Sequence, residues 1–131
     1  MIIGIGIDCI EIERVRKALQ REAFLTRCYR ESEINLLTRK DGTLDAKRAA
    51  GNFAVKEAVS KVFGTGFRTM ALIDIEVLRD ELGKPYVNLY QEAERIAKSL
   101  MIKTIHISIT NTEKEATAFA IAESVKCEKN F

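Results

Sequence analysis

From Asp45 to Gly66 the chain spells out one long helix and its stop, and no other stretch constrains the fold as much. Asp45 supplies an N-cap, and the apolar spacing carries the helix to Phe63. Ala54, Val55, Ala58, Val59 and Val62 share one face, while Lys56, Glu57, Ser60 and Lys61 fall on the other. Glu57 and Lys61 stand four residues apart and point the same way. Gly64 and Gly66 then end the helix in a loop with sterically open backbone N–H groups. Two readings follow. One is a solvated face with an ion pair and a glycine cap. The other is a Mg²⁺-phosphate site, which needs a carboxylate, an ammonium and such a loop side by side. Phe53 interrupts the polar face, so a ligand, another subunit or a loop is expected to cover it.

The rest of the chain supplies a sheet for this helix. Ile3, Ile5 and Ile7 alternate with Gly4 and Gly6, a strand with one apolar face and one bare face against which something packs closely. A helix runs from there to about Gln20, with Ile12, Val15 and Leu19 inward. A short helix spans Glu31 to Leu37, and Lys40 to Thr43 is a loop. Ile73, Ile75 and Val77 alternate with Asp74 and Glu76 in a half-buried strand, and after a turn at Asp80 to Pro85, Tyr86 to Leu89 returns. Gln91 to Met101 is amphipathic. Ile105, Ile107 and Ile109, then Thr117, Phe119 and Ile121, form a last pair of strands. Two hairpins make the sheet antiparallel, and the helices packed on it make the fold α+β. At 131 residues the chain is one domain, 1–131.

Composition narrows the function. Three cysteines at wide spacing and one histidine exclude a disulfide framework and a structural zinc site. The apolar N-terminus lacks a basic flank and is broken by Asp8, so it is a strand rather than a signal peptide. No apolar run is long enough for a membrane, and the expected location is the cytoplasm. The net charge of +2 is uneven: Arg14 to Arg48 holds ten Lys/Arg against five Asp/Glu. That segment points to an acidic partner or a phosphorylated ligand. Without interleaved aromatics it does not resemble a nucleic-acid surface. GIGIDCIE is neither a dinucleotide fingerprint nor a P-loop, and His106, inside a strand, is a structural histidine rather than a general base. What remains for chemistry is Asp8, leaving the glycine strand, and Glu57 on the helix. Mg²⁺ takes one or two carboxylates plus substrate phosphates, and Lys61 would neutralise phosphate charge.

Four segments, GIGIDCIEIER (Gly4 to Arg14), FAVKEAVSKVFGTG (Phe53 to Gly66), DELGKPYV (Asp80 to Val87) and HISITNT (His106 to Thr112), resemble the acyl carrier protein synthases, the short bacterial type of 4′-phosphopantetheinyl transferase. The likeness covers nearly the whole chain. It implies the transferase fold and transfer of 4′-phosphopantetheine from coenzyme A to a serine of apo-acyl carrier protein, releasing adenosine 3′,5′-bisphosphate, in fatty acid biosynthesis. It implies Asp8 and Glu57 as Mg²⁺ ligands and Lys61 as the phosphate-binding lysine, these three being the catalytic set. The serine proton would go to a water on the metal or to one of the carboxylates. Coenzyme A would lie along Gly64 and Gly66, near Pro85 and near Thr110. The first helix would dock the acidic carrier protein through Arg14, Arg16, Lys17 and Arg21. Relatives form trimers with each active site between two subunits.

This chain departs from the family's pattern twice. Asn52 stands where many relatives have a basic residue, and Asn111 where many have His, both close to the nucleotide and its 3′-phosphate. Phosphate contact is therefore expected to shift to Lys47, Arg48 or their basic neighbours, with Asn111 as an uncharged donor. Two rival functions remain open on the residues alone: a Mg²⁺-dependent nucleotide pyrophosphate hydrolase, and a non-catalytic binder of acidic protein or RNA.

Overall fold

The structure is a computed structural model and describes residues 1–64 and 70–124. In chain order the elements are β1 (Ile2–Glu11), α1 (Ile12–Ala18), α2 (Glu22–Cys28), α3 (Glu31–Leu37), α4 (Ala46–Phe63), a single 3-10 turn (Leu72–Asp74), β2 (Ile75–Arg79), β3 (Pro85–Leu89), α5 (Gln91–Ser99), β4 (Ile102–Asn111) and β5 (Glu115–Ser124). Two antiparallel sheets form, one ordered β1-β5-β4 and one pairing β2 with β3. The α+β class and both hairpins agree with the sequence reading. Among the described residues no helix is long and apolar enough to cross a membrane.

Helix α4 lies across the inner face of the larger sheet, and small residues let it lie close. Ala116, Ala118, Ala120 and Ala122 of β5 are fully buried beneath it. Gly4 and Gly6 of β1 lie against it too: a Cβ on Gly6 would sit 2.0 Å from the Ala58 carbonyl oxygen, and one on Gly4 3.0 Å from that of Val62. With neighbours this close, α4 keeps only a narrow exposed edge, at Arg48 and Lys61. Lys56 and Ser60, expected on a polar face, are 0% and 2% exposed. Phe53 is half-buried because Phe24 of α2 lies against it, ring centroids 6.0 Å apart. The sequence reading had no helix at α2, whose seven residues bury only Cys28 fully and so carry little periodicity.

Both ends of α4 follow their local chemistry. The Asp45 side chain accepts from the Arg48 backbone N–H at 3.1 Å, and Gly64 caps the other end at φ 76°. Inside, the Lys56 ammonium donates to Glu33 Oε1 at 2.8 Å, to the Leu72 carbonyl at 3.2 Å and to the Ile75 carbonyl. Burial pushes the Lys56 pKa down and the Glu33 pKa up, each opposed by the partner's charge. This pair ties α4 to α3 and to the start of β2.

The outer face of the β1-β5-β4 sheet is bare. Ile5 and Ile7, 60% and 56% exposed, face Ile121 and Phe119 across the ladder. The apolar side of the glycine strand thus points away from the core, because only its glycine side admits the helix.

Candidate active site

The close approach of β1 to α4 brings three sequence-distant groups together. Asp8 follows Gly4 and Gly6 on the inner side of β1, at the level where α4 presents Glu57 and Lys61. Lys61 turns towards β1 rather than towards Glu57: its ammonium donates to the Ile7 carbonyl at 2.8 Å and lies 3.4 Å from Asp8 Oδ1. The Glu57–Lys61 ion pair of the solvated-face reading is therefore not formed; Lys61 pairs with Asp8 instead. Among the described residues the Glu57 carboxylate has no hydrogen-bond or ion-pair partner. Partial burial raises the Glu57 pKa first, the Asp8 charge raises it further, and Lys61 opposes both. Two carboxylates that repel one another, Glu57 unpaired and Asp8 held only by Lys61, fit a divalent cation such as Mg²⁺. No group of three or more potential metal ligands gathers among the described residues, so the remaining ligands would come from a substrate or water.

One cavity, of about 500 Å³, opens at the other end of α4. Lys47 and Arg48, with Pro85 and Asn111 from distant parts of the chain, all line it, together with Arg39 and Arg79. Asn52 does not: it is fully buried and reaches the cavity only through Arg79, whose Nη2 donates to Asn52 Oδ1 at 3.0 Å. Thr110 alternates with Ile109 and Asn111 along β4 and so points to the outer face. His106 is on that outer face as well, its Nε2 2.6 Å from Glu123 Oε1, on the far side of the sheet from Asp8 and Glu57. Gly64 is exposed at the end of α4; Gly66 lies outside the described residues. Arg79 and Arg39 were missed by the sequence reading, since a lone arginine at a strand end or in a loop carries no signal until the fold gathers it.

A second concavity, about 490 Å³, lies between α1 and α2. Arg14, Lys17, Arg21 and Arg27 rim it, and Phe24 and Phe53 form its apolar floor. Arg16 is not part of it but pairs with Glu13 on the neighbouring face. The arrangement, cations around two aromatic rings, suits an acidic partner that also presents an apolar side chain.

Comparison with known proteins gives this geometry its class. Residues 4–122 match the model of the 4′-phosphopantetheinyl transferase superfamily. The holo-[acyl-carrier-protein] synthase of Lachnoclostridium phytofermentans is 56% identical over 126 residues, covering 96% of this chain and 99% of that one. The crystal structure of the holo-ACP synthase of Plasmodium yoelii superposes with a TM-score of 0.83 at 30% identity, covering 96% of this chain and 98% of that one. The Helicobacter pylori holo-[acyl-carrier-protein] synthase, in complex with coenzyme A, gives a TM-score of 0.78 at 30% identity over 91% of this chain and 99% of that one. The chain belongs to the 4′-phosphopantetheinyl transferase superfamily, and within it to the holo-[acyl-carrier-protein] synthases. It is accordingly an enzyme, a phosphopantetheinyl transferase.

Proposed function

We propose that this chain transfers 4′-phosphopantetheine from coenzyme A to a serine of an apo-acyl carrier protein and releases adenosine 3′,5′-bisphosphate, with Mg²⁺ as cofactor. The observation that carries the reading is the meeting of Asp8, Glu57 and Lys61 where the glycines of β1 press on α4. Asp8 and Glu57 would hold Mg²⁺, which when bound offsets charge on the pyrophosphate of coenzyme A. Lys61 adds a point cation beside it, tethered by the Ile7 carbonyl. Gly64 ends α4 without a side chain, leaving room for the pantetheine arm. The basic cavity at the start of α4 would receive the adenosine end. The aromatic-floored concavity of α1 and α2 would dock the carrier, with Arg14, Lys17 and Arg21 steering an acidic surface towards it.

The bare outer sheet face supports a further part of the proposal. Ile5, Ile7, Phe119 and Ile121 form an apolar patch on a water-facing surface, which self-association into a homotrimer would bury. Thr110 and His106 would then lie at that interface, next to a neighbouring subunit's site. The setting proposed is the cytoplasm and the pathway fatty acid biosynthesis.

The test is direct. Incubated with coenzyme A, Mg²⁺ and apo-acyl carrier protein, the enzyme should add one phosphopantetheine mass to the carrier, and chelation should stop it. Coenzyme A cleaved without a carrier would indicate the pyrophosphate hydrolase instead. No adduct and no cleavage would leave a binding module.

A further inference from the structure

Helix α2 is too short to hold itself in place. It has seven residues, and only Cys28 among them is fully buried. Yet it carries Phe24, one of the two rings on the floor of the concavity beside α1. Arg21, its N-cap, and Arg27 stand three residues to either side of Phe24, on the same face, and belong to the rim. The residue that ends the helix fixes all three.

Tyr29 is the C-cap of α2 and is 1% exposed. Its backbone N–H bonds the Leu25 carbonyl at 3.0 Å, and its hydroxyl donates to the Ala49 carbonyl of α4 at 2.9 Å. Its ring meets Phe24 edge-on, centroids 6.2 Å apart and planes at 74°, and the Lys56 ammonium lies 5.5 Å from the ring centroid. Phe24 in turn lies against Phe53, 6.0 Å between centroids. In the ladder of an α-helix, the Ala49 carbonyl is also the acceptor for the Phe53 backbone N–H. Tyr29, Ala49, Phe53 and Phe24 therefore close a loop of contacts, and the aromatic cluster is joined at both ends to the same turn of α4. Burial pushes the Tyr29 pKa well up, so the hydroxyl stays a donor. Tyr29 itself is not part of the lining of the concavity.

We propose that Tyr29 is a positioning residue for the carrier: by tying the end of α2 to the start of α4, it holds Phe24 against Phe53, with Arg21 and Arg27 around them, before the carrier arrives. This rests on the carrier-docking reading above. A floor set in advance loses less freedom when an apolar side chain of the partner settles on it. Tyr29 acts on the carrier only through Phe24 and the rim.

Steady-state kinetics of carrier modification by the full chain test it, at a temperature where circular dichroism shows each variant folded. Tyr29→Phe keeps the ring and removes only the bond to α4. It should raise the KM for apo-carrier roughly 3- to 10-fold, as fits the loss of one hydrogen bond. Its kcat at saturating carrier and its KM for coenzyme A should stay within about twofold of wild type. Tyr29→Leu, which also removes the edge-on ring, should raise the carrier KM further. In a chain already carrying Phe24→Ala, Tyr29→Phe should add almost nothing, whereas a residue that only stabilises the fold would act independently of Phe24. Should Tyr29→Leu fail to fold, Tyr29→Phe decides the matter. An unchanged carrier KM in Tyr29→Phe, a matching rise in the KM for coenzyme A, or full additivity with Phe24→Ala overturns the proposal. If Arg21→Glu and Phe24→Ala raise the carrier KM and Tyr29→Phe does not, only the role of Tyr29 falls. If neither of those two raises it, the docking reading falls and the proposal with it.

Discussion

Replacing Gly6 by alanine puts one methyl group where the structure has no room for it. The new Cβ would stand 2.0 Å from the Ala58 carbonyl oxygen, 2.9 Å from its carbon and 3.2 Å from Lys61 Cβ. The first two atoms are helix backbone and cannot swing aside, so β1 and α4 must part by about 1 Å before the contact reaches even 3.0 Å. Overpacking of this kind costs about 1–3 kcal/mol, roughly 5–12 °C in melting temperature for a domain of this size. Activity should suffer more than stability. Asp8 is on β1 and Glu57 on α4, so the parting separates the two carboxylates directly, and a 1 Å misplacement costs about a hundredfold in rate. The assay is carrier modification followed by mass spectrometry at a temperature where circular dichroism shows the variant folded, alongside a thermal melt. Gly4→Ala is the graded control, since its Cβ would meet Val62 O at 3.0 Å. Wild-type melting and turnover in Gly6→Ala would refute the claim that this contact sets the site.

Glu57→Gln should lower turnover at least about a hundredfold, measured as carrier adduct per minute. Its stability should move the other way. A carboxyl group whose pKa is raised by folding contributes stability at acid pH and loses it as pH rises through the folded value, so the variant should melt no lower, and slightly higher, than wild type at pH 7–8. That advantage should vanish below about pH 4, as thermal melts across pH would show. Lys56→Met leaves Glu33 buried without its counter-charge and should cost about 3–5 kcal/mol in denaturant unfolding, part of which Glu33→Leu in the same chain should restore. Arg14→Glu should raise the KM for apo-carrier about tenfold or more and leave coenzyme A affinity unchanged; equal loss of both would make Arg14 structural. Ile7→Asp should turn the proposed trimer into monomers in light scattering, and an unchanged mass would leave the outer face unexplained.

Most of the frame was legible because local rules dominate there. Asp45 and Gly64 cap α4 as their side-chain chemistry dictates, and the alternating isoleucines mark β1 and β4. The misplaced polar residues share one cause. Patterning assumes that charged residues face water, yet Lys56, Glu33, Asp74 and Glu76 are buried and hydrogen-bonded. On β1 the glycine face, bare in the sequence, is the one that α4 packs against, and Ile5 and Ile7 face outward.

The chain by itself determined the ingredients: a glycine-faced strand carrying Asp8, a capped helix carrying Glu57 and Lys61, and a basic first third. Spacing along one element sets such features, and they survive translation into structure. Only the tertiary structure decided which of them meet. It gave Lys61 to Asp8 rather than Glu57, closed Asn52 into the core, and turned Arg79 over a cavity shared with Arg48 and Asn111. Partners brought together from distant parts of the chain depend on how closely elements approach, and that distance was set by two missing side chains, at Gly4 and Gly6.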